Sequence, residues 1–206
     1  MIAQKVRPSA VNLEWGCDTL ARVSPVDFAR LRAARVMWRA GYIEKITFQE
    51  LSDQLAAGIA FSPVTYALDF NAGFHIARLE ELGIPKGVTV WLDVEGSNLD
   101  APSIILKINA WAATINAAGY EAGLYIGAGM PLTDAQLYAL PLIKRYWHSV
   151  SRVPDPKVRG CCVRQIRPND VYPTGIDVDV DISEPDYEGD VHTVAAPEGW
   201  SLPQAA

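Results

Sequence analysis

Three observations predict a small α/β barrel of the (β/α)8 type whose later helices are reduced to loops. Apolar, β-branched runs alternate with helical patterns along most of the chain, eight such runs can be counted, and polar residues recur at their C-terminal ends. Alternation implies parallel strands joined by right-handed crossovers, and closing eight strands into a ring removes both sheet edges. An open doubly wound sheet is the alternative. The turn after the first run, DTLARVSP, carries neither a G-x-G-x-x-G fingerprint nor a P-loop, which favours the barrel.

The first strand is predicted at Val11–Asp18, after which Ser24 and Pro25 supply an N-cap and a first-turn proline for a helix to about Ala34. A short second strand, Val36–Arg39, leads to Thr47, whose capping box with Glu50 opens a helix ending at Gly58. Ile59–Leu68 is the third strand, followed by AGFHIARLEELG with apolar residues at helical spacing. Val88–Glu95 is the fourth, and Asp100-Ala101-Pro102 starts a long helix ended by Gly119. Ala122–Ile126 is the fifth, and a helix from Thr133 is interrupted by Pro141. Arg145–Val150, Gly160–Ile166 and Gly175–Ile182 complete the eight, with connections before the last two that are too short and Pro-rich for full helices. The barrel domain is placed at residues 1–184, and 185–206, rich in Pro, Gly and acids without periodicity, reads as an extended tail.

With 206 residues, half of them hydrophobic, the chain can bury one substantial core. A formal net charge of -6 and a pI near 5.0, with no Lys/Arg run, argue against nucleic acid as a partner. Apolar stretches break well before about 20 residues, which argues against membrane insertion. The N-terminus has no apolar signal region, so synthesis in the cytoplasm without a signal peptide is expected. Cys17, Cys161 and Cys162 are an odd set that fits neither a disulfide framework nor zinc, and a monomer is assumed.

The chemistry centres on VTVWLDVE. A strand sends alternate side chains to one face, so Asp93 and Glu95 project together from its end. Mutual repulsion and burial beside Trp91 favour the neutral form of one of them, giving a proton donor next to an anionic stabiliser, the division of labour in glycoside hydrolysis. The other strand ends contribute Asp18, Arg39, Tyr66, Tyr125, Trp147 and Gln165, and Asp177, Asp179 and Asp181 share one face of the last strand. Acids lined with aromatic rings suit sugars, which stack on the rings and hydrogen-bond to the acids. Competing roles stand beside these: Trp147, Tyr66 and Tyr125 equally fit barrel layers, and Arg39 fits a structural ion pair with Asp18 or Asp93. The segment DVDVDISEPDYE places acids at positions 1, 3, 5 and 12 of a calcium loop, yet Ile182 stands where Gly is required and Pro185 at position 9, so a strand is expected and no cofactor.

Gly16-Cys17-Asp18, WLDVE, GLYIG, Gln165 and DVDI, in that order, resemble the glycoside-hydrolase-like TIM-barrel domains once filed as a domain of unknown function, relatives of the family 25 lysozymes. The resemblance spans about Val11–Glu184. It implies Glu95 as the acid that protonates the glycosidic oxygen and Asp93 as its electrostatic partner. Asp18 and Asp179 would orient an acetamido group or a water. It also implies peptidoglycan as substrate and a phage or prophage lysis protein (endolysin) as the biological setting. The chain departs from the lysozyme pattern at Arg164-Gln165-Ile166, where an aromatic pair is usual, and at Asp181, where Asn is common. A non-catalytic glycan-binding barrel is the alternative from a different functional class.

Overall fold

The computed structural model describes residues 3–6, 14–67, 70–156, 159–171 and 175–198. Residues 11–13 of the predicted first strand, Leu68 of the third and 199–206 of the predicted tail lie outside the described residues. Eight strands close the barrel: β2 (Glu14–Asp18), β3 (Trp38–Tyr42), β4 (Ala60–Tyr66), β5 (Thr89–Asp93), β6 (Glu121–Ile126), β7 (Arg145–His148), β8 (Val163–Val171) and β9 (Asp177–Ser183). The helices are α1 (Pro25–Ala33), α2 (Phe48–Ala56), α3 (Ala72–Glu81), α4 (Ala101–Ala117) and α5 (Asp134–Leu137). Ser24, Thr47, Asn71, Asp100 and Thr133 each cap a helix by accepting from a backbone N–H of its first turn.

Strands β2 to β8 run parallel, but β9 is antiparallel to both β8 and β2, which corrects the all-parallel expectation. The cause is connection length: the few residues between Val171 and Asp177 suffice for a hairpin, whereas a parallel crossover needs a dozen or more. The helix from Thr133 is a single turn, because Pro141 lacks the N–H that a longer helix would use.

The barrel interior is filled by tryptophans. Trp147 meets Trp38 edge-on at 6.4 Å between ring centroids and Trp91 at 5.7 Å. Trp91 donates its indole N–H to Ser62 Oγ at 2.9 Å. Small residues opposite make room: a Cβ at Gly123 would lie 2.6 Å from the Trp91 ring, and one at Gly16 would overlap the Trp38 ring.

The reading of 185–206 as an extended tail is corrected for its described part. Residues 191–196 are buried, and β10 (Val194–Pro197) pairs antiparallel with β1 (Ala3–Val6). Strands β4 and β5 pair only over Val64–Tyr66, and β10 enters where their lower halves splay apart, through Ala195 opposite Phe61 and a Thr89 N–H to Thr193 O bond of 3.0 Å. His192 projects among the tryptophans, 5.0 Å from Trp38 and 5.9 Å from Trp91, and burial depresses its pKa to about 3, so it is neutral. The acids of this segment hold it down: Asp190 pairs with Arg145 and Arg159, and Asp186 and Glu188 with Arg159. Composition concealed this, because the Pro, Gly and acid content that resembles a linker here serves a tight turn and an ion-pair clasp.

Candidate functional site

At the C-terminal ends of the strands lies a cleft of about 340 Å³. Asp18, Asp177, Asp179 and Glu95 line it together with Tyr42, Tyr125 and Trp147, and among the described residues no Lys, Arg or His contributes to its wall. Strand alternation explains the placement. On β9, Asp177, Asp179 and Asp181 share one face and descend from exposed rim to fully buried floor.

The floor is a hydrogen-bonded set. Trp147 donates its indole N–H to Asp181 Oδ1 at 3.0 Å, and Tyr125 packs edge-on against Trp147 at 4.8 Å. Gln165 donates from Nε2 to Asp179 at 2.7 Å and to Asp18 at 3.3 Å, and is itself fixed by the Val150 N–H on Oε1. Burial and the Asp18 charge push the Asp181 pKa well above the carboxylate range, so Asp181 is the protonated member of the pair. Burial, then the neighbouring Asp179 charge, raise Asp18 to about 7. A protonated Asp181 is thus neutral, as an Asn at this position would be.

Asp93 and Glu95 do end β5 as expected, but their surroundings differ. Asp93 is 2% exposed and does not reach the cleft wall. It accepts the Tyr42 hydroxyl at 2.6 Å and the Glu95 N–H at 2.8 Å. Burial raises its pKa, and these two donors oppose the rise. Glu95 is exposed, and its carboxylate lies against the end of β6, where the Ala128 N–H donates to Oε1 at 2.5 Å. Its pKa is also raised, by burial of the carboxyl and by Asp93 and Asp179, against the pull of Ala128.

Two other expected site residues stand apart from the cleft. Arg39 is buried on the outer face of β3, with Glu50 at 3.2 Å and Gln54 at 3.1 Å, and therefore cannot bind a ligand in the cup; its acid partner is neither Asp18 nor Asp93. Its neighbours Trp38, Ala40 and Tyr42 occupy the inner face, and the one-residue offset puts Arg39 on the other side. Tyr66 stacks on Tyr42 at 4.0 Å and accepts from Lys45, so it backs the wall without forming it. Tyr42 is the residue that sequence reasoning missed. Extending the second strand to Tyr42 would have placed it at the strand end beside Asp93.

Among the described residues no group of three or more His, Cys, Asp or Glu is arranged to hold a metal ion. Asp177–Ser183 is a strand, as the calcium-loop comparison anticipated. All three cysteines are free and buried. No described helix is long and apolar enough to cross a membrane.

Fold and cleft together define a small, modified (β/α)8 barrel with an acidic, aromatic site at the usual end. No family model and no curated protein sequence matches the chain. Solved structures do. An uncharacterized B. stearothermophilus protein superposes with a TM-score of 0.65 at 17% identity, covering 83% of this chain and 96% of its own. A glycosyl hydrolase 25 of Streptococcus pneumoniae, the virulence factor GHIP participating in host cell invasion, superposes with a TM-score of 0.59 at 11% identity, covering 84% and 87%. At these identities the likeness is one of fold, shared with a glycosyl hydrolase of family 25.

Proposed function

We propose that this protein is a glycoside hydrolase of the family 25 lysozyme-like type, acting on bacterial cell-wall glycan. The observation that carries the reading is Glu95, an acid with a raised pKa on the wall of a cleft that holds three further carboxylates and no cation. Glu95 donates its proton to the glycosidic oxygen as the C1–O bond breaks. The positive charge growing at the sugar is met by Asp179, held in place by Gln165, and Asp18 beside it orients the acetamido group or the water, while Trp147 and Tyr125 offer apolar faces to the ring. Asp93 acts from beneath, fixing the Glu95 backbone and adding a buried negative field. Water completes the reaction at C1.

A second reading, a glycan-binding barrel without turnover, is favoured by one feature. Asp93 is sealed under Tyr42, and Glu95 is already hydrogen-bonded to Ala128, an arrangement that also serves a fixed acceptor. The two are separated by reducing-end release from purified peptidoglycan, measured for wild type and Glu95→Gln across roughly pH 4 to 8, where a perturbed carboxyl titrates. Release by wild type that falls at least a hundredfold in the variant supports hydrolysis. Binding of glycan without release by either protein supports the module.

A further inference from the structure

Glu95 is shared between two cavities. A second space of about 340 Å³, whose wall includes Phe70, Ser97, Asn98, Leu99 and Lys107, has only Glu95 in common with the lining of the acidic cup. The chemistry of its lining is the reverse of the first. Among the described residues the cup presents four carboxylates and no base, whereas the second cavity presents Lys107 and, besides Glu95, no acid. No ion pair engages Lys107 among the described residues; its ammonium instead lies 5.3 Å from the centre of the Phe70 ring. Phe70 is one of two described non-glycine residues with positive φ, at 53°, a conformation that costs energy and persists only where its surroundings impose it.

A general acid stands between the sugar that is cut and the group that leaves. Charge develops on the cut sugar, so that sugar occupies the side with the carboxylates, and the oxygen protonated by Glu95 carries the leaving portion to the opposite side. We propose that the second cavity is the leaving-group subsite of this cleft, and that Lys107 selects glycan chains bearing an anionic substituent, such as a carboxylate, on the leaving portion. The proposal rests on the glycosidase reading for its direction, but the second cavity and its charge do not.

Two soluble probes test it: chitotetraose, which is neutral, and the tetrasaccharide of alternating N-acetylglucosamine and N-acetylmuramic acid, which carries carboxylates. Turnover is measured with wild type, Lys107→Ala and Lys107→Glu, and affinity by calorimetry in the Glu95→Gln background, which reports binding without turnover. For an exposed ion pair the expected loss on the anionic chain is roughly two- to fivefold for Lys107→Ala and on the order of tenfold for Lys107→Glu, with the neutral chain unchanged. Ser97→Trp, which fills the cavity, weakens both chains. Equal effects of the Lys107 variants on both probes, or none on either, overturn the subsite even if turnover is intact. Lys107-dependent binding of the anionic chain with no turnover by wild type overturns hydrolysis and leaves the anion-selecting cavity standing. Failure of both chains to bind any variant overturns the proposal.

Discussion

Gly127→Ala tests how Glu95 is held. The side-chain-free position at the end of β6 is where the Glu95 carboxyl rests, and a Cβ built there would fall inside that carboxyl's van der Waals envelope. Gly127 has no positive φ, so alanine meets no backbone strain, and the obstructing group is the far end of a flexible side chain. The barrel should therefore fold while Glu95 swings away and loses the Ala128 N–H. A hydrogen bond to a charged group contributes about 1.5–3 kcal/mol in favour of the charged form, and the exposure of Glu95 places its loss at the lower end. The sign of the pKa change follows from what is lost together with that bond: burial, the larger influence on Glu95, favours the neutral acid, and a carboxyl that swings into solvent is freed of it, so the Glu95 pKa falls toward the ordinary carboxylate value. Titration of the side-chain carboxyl by carbon-13 NMR, assigned by comparison with Glu95→Gln, reads the shift without any substrate. A midpoint that stays put or rises in Gly127→Ala refutes the cradle.

Two further substitutions probe the floor. Asp181→Asn keeps a neutral side chain of the same shape with an acceptor for the Trp147 indole, so its unfolding free energy should stay within about 1 kcal/mol of wild type, whereas Asp181→Ala leaves the buried indole N–H unpaired and should cost about 1–3 kcal/mol in urea denaturation. Similar costs for the two variants would contradict a protonated Asp181. Asp18 has a folded pKa of about 7 against an unfolded value near 3.8, so the folded state binds the extra proton and its stabilising contribution is lost as pH rises from about 4 to 7. Asp18→Asn should make the urea midpoint fall less steeply over that window than in wild type, and an unchanged slope would show that Asp18 does not titrate there.

The sequence disclosed the barrel because its helices carry caps and its strands are separated by them: Ser24-Pro25, Thr47 with Glu50, and Asp100 with Pro102 mark boundaries through local hydrogen bonds. It also disclosed the acids at the C-terminal ends of β2 and β5 and those along one face of β9. The face of Arg39 was not legible, since a boundary error of three residues at Tyr42 hid the alternation that decides it. Nor was the sealing of Asp93, which depends on a hydroxyl 51 residues away. The antiparallel β9 was implicit in the short connection before it, but strand pairing direction is a tertiary choice that periodicity does not encode. The wedge of residues 191–197 was hidden for the same reason: Thr193 and Thr89 are 104 positions apart, and nothing local announces their contact.

That wedge bears on how the molecule comes to be folded. Strands β4 and β5 leave their lower halves unjoined, and the backbone that completes them arrives some hundred residues later, with a histidine that packs against Trp38 and Trp91. During synthesis the first five barrel strands can assemble, but the base stays open, with Trp38 and Trp91 reachable by water, until residues 186–197 have left the ribosome and Arg145 and Arg159 have gripped them. Completion of the barrel is consequently a late, long-range event, and its final step is the insertion of the segment that composition had marked as dispensable.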